Sequence, residues 1–175
     1  MNLYIAGAVG RATTELAAFD RALIEVGAAN FNLIRLSSVI PFGSTVVEVD
    51  SCPPRPSASW GDRLYTVYAE QRTSIPGVQV WAGVGWVQDP VTGRGLFVEH
   101  EGDDESAVRR DIVSSLGELQ AARGVELGPM RMRVVGAECT GRPTCALVLC
   151  AYETAGWSSS SCPDVGDTSS PQGRS

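Results

Sequence analysis

The run Phe31-Asn32-Leu33-Ile34-Arg35-Leu36-Ser37-Ser38-Val39-Ile40-Pro41-Phe42-Gly43 constrains this chain more than any other stretch. Phe31 to Leu36 reads as an apolar strand. It stops at two adjacent serines, and Pro41 and Gly43 then force a turn. Such an abrupt end holds the peptide carbonyl between the serines in one place. A serine pair in a loop is ordinarily turn chemistry. It means something else if the Ser38 hydroxyl can reach the Ser37 carbonyl carbon, so the neighbouring residues decide between the two readings.

Bulk properties narrow the classes. A length of 175 residues suits one domain. At 43% hydrophobic and 19% charged the chain is ordinary globular material, able to bury a core without staples. Its net charge of −6 argues against a nucleic-acid partner. No run approaches the ~18 apolar residues of a membrane span. Met1-Asn-Leu-Tyr-Ile5 lacks the basic and apolar regions of a secretory leader, so a cytoplasmic protein is expected. The five cysteines form no regular framework, and Cys139, Cys145 and Cys150 match no common zinc spacing. Small buried thiols are expected there, with a redox role the minor alternative. The single histidine rules out a histidine-rich metal site.

Along the chain, Leu3 to Ala6 forms a first strand that Gly7 to Gly10 should break. Thr13 or Thr14 caps a helix whose stripe is Leu16, Phe19, Leu23 and Val26, with Gly27 as its stop. Asp20 lies four residues after Leu16 and shares its side of the helix; taken alone, it reads as a solvated charge. Thr45 to Val49 is a β-branched strand, and residues 50 to 62 are a loop. Arg63 to Thr73 and Gln79 to Val87 are strands, with Trp81 and Trp86 assigned to packing. Leu96 to Val98 leads into Glu99-His100-Glu101-Gly102, where alternation sets both glutamates on one face and His100 on the other. Alone, these read as a solvated edge and an exposed histidine. Asp103 or Asp104 caps a second helix with Val108, Ile112, Leu116 and Leu119 as its stripe and Gly124 as its end. Arg131 to Cys139 and Thr144 to Tyr152 are the last strands. From 156 to 175 the composition reads as a disordered tail. The fold class is α+β, with about seven mainly antiparallel strands and two main helices.

Asn32-Leu-Ile-Arg-x-Ser37-Ser38-x-Ile-Pro-x-Gly43 resembles the self-cleavage segment of the pyruvoyl-dependent arginine decarboxylases. Leu16-Ala-Ala-Phe-Asp20 upstream and Val98-Glu99-His-Glu101-Gly102 downstream fit the same family in order and spacing, across residues 1 to 152. The resemblance implies one domain, residues 1–155, built as a layered α-β-β-α sandwich. It implies cleavage between Ser37 and Ser38 into a 1–37 β chain and a 38–175 α chain. An N→O acyl shift and β-elimination would leave a covalent pyruvoyl group at residue 38, in place of PLP and with no metal. The substrate implied is arginine, converted to agmatine, in a trimer with active sites between subunits. Glu99 would be the proton donor, so a Glu99→Gln chain should cut itself yet turn over poorly. Asn32 would sit in the processing site, where its amide could polarise the Ser37 carbonyl. Leu16, Asp20 and Ala29 would belong to the substrate pocket, with Asp20 facing the guanidinium. The family usually has glycine where Ala29 stands, which matters if that position needs a positive φ. Two alternatives stand beside this reading: the same chemistry on another amino acid, and an uncleaved, non-catalytic trimer that binds a small amine.

Overall fold

A computed structural model describes residues 1–157. Its strands are β1 (Asn2–Arg11), β2 (Asn32–Arg35), β3 (Val39–Ile40), β4 (Thr45–Glu48), β5 (Arg63–Thr73), β6 (Gln79–Gln88), β7 (Gly95–Gly102), β8 (Arg131–Glu138) and β9 (Thr144–Ala155). The helices are α1 (Glu15–Glu25) and α2 (Glu105–Arg123). One sheet has the order β2-β5-β9-β1-β4 and the other β3-β7-β6-β8. β1 with β4 and β2 with β5 are parallel; the other pairs are antiparallel.

Three apolar layers separate four structural ones. Ile5, Val67, Trp86, Phe97, Val148 and Cys150 fill the space between the two sheets. Ala18, Ala22, Leu23 and Val26 of the α1 region pack on the outer face of the five-stranded sheet. Val108, Ile112 and Leu116 of α2 cover the outer face of the four-stranded sheet. The result is the expected α+β fold, layered α-β-β-α. β9 is buried from Thr144 to Tyr152. That follows from its place at the centre of a sheet covered on both faces, where an unbroken apolar run replaces alternation.

The helix ends follow their sequence signals. The Thr14 hydroxyl accepts the Ala17 N–H, and the Asp104 carboxylate accepts the Ala107 N–H. α2 ends on Gly124 at φ 60°, in the left-handed region.

Other expectations need correction. Gly7 and Gly10 do not break β1; the strand runs through them to Arg11. They are needed for close approach. A Cβ on Gly10 would lie 2.0 Å from the Ala18 carbonyl oxygen of α1, and one on Gly7 would lie 2.8 Å from Val135 across the sandwich. Leu16 is not part of the buried stripe: it is 69% exposed, and the helix instead buries Ala18 and Ala22 on β1. Among the described residues nine strands stand where about seven were expected. The one with no counterpart in the sequence reading is β3, only two residues long, inside the segment read as a turn.

Cys52, Cys139, Cys145 and Cys150 are buried free thiols; burial pushes the Cys145 thiol up to about 12. Cys162 and the tail from 158 on lie outside the described residues. Among the described residues no helix is long and apolar enough to cross a membrane.

Candidate active site

The Ser37–Ser38 peptide lies where the chain leaves one sheet for the other. β2 ends at Arg35 in the five-stranded sheet, and β3 begins at Val39 in the four-stranded one. Each side of this crossing is anchored. The Leu36 N–H donates to the Thr66 carbonyl at 2.9 Å, continuing the first sheet. The Phe97 N–H donates to the Ser38 carbonyl at 2.8 Å, opening the second. The Tyr152 hydroxyl donates to the Val39 carbonyl at 3.1 Å.

A chain held at both ends must turn sharply between them, and Ser38 takes up the turn. Its φ is 68°, the only positive φ among the described non-glycine residues. That conformation brings Cβ against the following carbonyl and costs a serine about 1–2 kcal/mol. Ala29 has no positive φ, so a small side chain, rather than glycine's backbone freedom, satisfies that position.

The Ser38 hydroxyl donates to Glu99 Oε1 at 2.6 Å. Glu99 and Phe97 have the same parity on β7, and Phe97 packs in the inter-sheet layer. Burial pushes the Glu99 carboxyl above the usual carboxylate range; the Ser38 hydrogen bond and the Arg35 and His100 charges pull partly back, while Glu101 adds to the rise. The pair opens into a cleft of about 320 Å³, walled by His100 on β7 and by Ser115, Glu118 and Leu119 on α2. Ser37 lines a separate cleft of about 400 Å³ with Tyr65 and Tyr152. His100 is half-buried rather than exposed, with its Nε2 2.9 Å from Ser115 Oγ.

The remaining expected site residues lie elsewhere in the chain. Leu16 and Asp20 are exposed on α1, which covers the outer face of the five-stranded sheet, across that sheet from Glu99. Ala29 packs half-buried in the same outer layer. Asn32 opens β2, and its side-chain amide donates to the Gly61 carbonyl at 2.5 Å. Five steps of extended chain, roughly 16 Å, separate it from Ser37. Within one chain, therefore, the Asn32 amide does not polarise the Ser37 carbonyl. The Phe97 amide, the Tyr152 hydroxyl and Ser115 had no sequence signal, because each acts through a tertiary contact and two of the three contacts are to backbone carbonyls.

Fold and site define a layered α+β protein with a strained serine bonded to a half-buried carboxylic acid at a sheet crossing. A family model described as pyruvoyl-dependent arginine decarboxylase matches residues 2–156. A Halobacterium salinarum protein named pyruvoyl-dependent arginine decarboxylase is 39% identical over 156 residues, covering 86% of this chain and 93% of its own. Proteins of the same name from Thermococcus kodakarensis and Pyrococcus horikoshii are 32% and 34% identical. The first spans 83% of this chain and 90% of its own, the second 73% and 77%. The chain belongs to the pyruvoyl-dependent arginine decarboxylase family. A pyruvoyl group of this kind derives from a serine, and Ser38, strained, anchored and hydrogen-bonded, fits that origin.

Proposed function

We propose that residues 1–155 form one self-processing domain that cuts itself between Ser37 and Ser38 and then decarboxylates arginine to agmatine. The observation that carries this is the left-handed Ser38 with its hydroxyl on Glu99 Oε1. Glu99, when ionised, takes the Ser38 hydroxyl proton as Oγ bonds to the Ser37 carbonyl carbon. The ring that closes lies within one dipeptide, so little orientation remains to be gained. The Ser37–Ser38 C–N bond then breaks, the nitrogen takes the proton, and an ester remains. Loss of the Cα proton of residue 38 expels Ser37 as a carboxylate. The dehydroalanine left at 38 takes up water and releases ammonia. Strain at Ser38 is relieved as the chain separates, and both new ends stay anchored in their own sheets.

The pyruvoyl group supplies an electrophilic carbonyl for the substrate amine and an electron sink as carbon dioxide leaves. The chain's own groups serve it from fixed positions. The Phe97 N–H at the carbonyl oxygen of residue 38 is placed to hold negative charge there. Protonated Glu99 delivers the proton that replaces carbon dioxide. Leu16, Asp20, Ala29 and Asn32 would reach the site from a neighbouring copy in a trimer. Their location away from the same chain's Ser38, and the exposure of Leu16, Asp20 and Asn32, support that reading.

Asp20 would then read the guanidinium, as a carboxylate accepting parallel N–H bonds. Asp20→Asn keeps the volume and removes the charge. The expected result is a roughly 30-fold or greater loss of kcat/KM for arginine, with citrulline little affected and self-cleavage intact. Equal losses on both substrates would remove Asp20 from guanidinium recognition. Amine release assayed across arginine, histidine, lysine, ornithine and aspartate tests the substrate itself, and a preference for any other of the five would reassign it.

Glu99 gives the two reactions opposite pH dependence. As processing base it must be ionised, so self-cleavage accelerates as pH rises through its raised value. As proton donor it must be protonated, so turnover by processed enzyme falls through that same point. Rates of both measured across one pH series check this; two limbs of the same sign would contradict it.

A further inference from the structure

His100 is the sole histidine, and neither the processing nor the decarboxylation step above uses it. It adjoins Glu99 in sequence. Adjacent strand residues normally face opposite sides, yet both residues line the Ser38 cleft. This is possible because β3 pairs with β7 only at Gly95 and Leu96 and the Phe97 N–H makes the last bond to that segment, leaving β7 an open edge from Val98 onward. The imidazole is not free to swing away, since Nε2 is held on Ser115 Oγ at 2.9 Å.

We propose that His100 is a positioning residue for Glu99: anchored on Ser115 at the rim of the Ser38 cleft, it holds its ring where a positive charge would favour the Glu99 carboxylate that accepts the Ser38 proton. The inference rests on the self-processing reading for its consequence, though not for the coupling itself. A protonated imidazole carries a positive charge. A positive charge there favours the ionised form of a nearby carboxyl. Burial works against ionisation at Glu99, and the His100 charge opposes it.

Other groups facing the pair do not replace this contribution. Arg35 on β2 also favours ionisation of Glu99, but it carries its charge at every relevant pH and so gives no pH dependence. Glu101 on β7 works the other way. From β9, Cys150 and Tyr152 face Glu99 as neutral groups, both kept protonated by burial. On the α2 side, Ser115 and Glu118 line the cleft with His100.

The test is the pH profile of self-cleavage, followed from freshly prepared precursor between about pH 5 and 8. His100→Asn removes the charge and keeps a group able to bond Ser115. The acid limb should move upward in pH, shifting the profile rather than scaling it. A uniform loss at every pH would assign His100 a structural role only, and superimposable profiles would remove the coupling. Ser115→Ala should move the limb the same way by less, because the ring loses its anchor and keeps its charge.

A second readout needs no cleavage. In the uncut Ser38→Ala chain, the infrared carboxyl band of Glu99, assigned by its loss in Ser38→Ala/Glu99→Gln, should persist to higher pH once His100→Asn is added. No change in that band overturns the proposal even where self-cleavage proceeds. A wild-type chain that never cuts, with the band still shifting, overturns the processing reading and leaves the coupling standing.

Discussion

Ser38→Ala is expected to yield a single uncut chain with no decarboxylase activity. Alanine has no oxygen to attack the Ser37 carbonyl, so the acyl shift has no nucleophile, and without the shift no pyruvoyl group forms. The effect is all-or-none because turnover needs the group that only this attack creates. Folding should survive. Ser38 is half-buried, and its side chain makes one hydrogen bond, to Glu99. Alanine inherits the same unfavourable left-handed conformation, so the strain stays at about 1–2 kcal/mol. Denaturing electrophoresis after prolonged incubation reads the outcome directly. Two bands from Ser38→Ala would place the nucleophile on another residue.

Glu99→Gln is the second large effect, and it divides into two. Glutamine keeps an oxygen that can accept the Ser38 hydrogen bond, so the crossing should keep its shape. It can neither take that proton nor donate one from a carboxylic acid. Turnover by whatever enzyme has matured should fall by roughly 10²–10⁴-fold, the usual loss for a positioned proton-transfer group. Self-cleavage should slow as well, because the 2.6 Å contact makes Glu99 the base nearest the Ser38 hydroxyl. That departs from the sequence-based expectation of unimpaired cleavage. Measuring cleavage and single-turnover amine release on the same preparation separates the two effects. Near-normal turnover would pass the donor role to another carboxyl, with Glu101 the next candidate on β7.

The contrast between these residues shows what sequence carries and what it does not. Periodicity and caps located α1 and α2 and placed most strands, because Thr14, Asp104 and Gly124 act through their immediate neighbours. Alternation put Glu99 and Glu101 on one side of β7, without saying which layer that side meets, because strand parity is local too. It could not put Glu99 against Ser38, which is 61 residues distant and in contact only because β2 and β3 belong to different sheets. The same crossing forces Ser38 into the left-handed region, which a Ser-Ser dipeptide does not announce.

Gly7 and Gly10 were misread for a related reason. A glycine that breaks a strand and one that admits a helix backbone look alike until the helix is seen to rest on it. Leu16 joined a core stripe by its spacing, yet where α1 rests on Gly10 of β1 the residues beneath it are Ala18 and Ala22. Asp20 and Asn32 were assigned to the site through resemblance alone, and one chain holds them apart from Ser38. In the proposed trimer they would reach it from a neighbouring copy.

Intact-mass analysis of the purified wild-type chain tests the central claim most directly. The account predicts a fragment of residues 1–37 ending in a free carboxylate, and a second fragment beginning at residue 38 with a pyruvoyl group. Their masses should sum to that of the whole chain plus one water less one ammonia. A single mass equal to the unprocessed chain, persisting after long incubation at a pH above the Glu99 transition, would contradict the account.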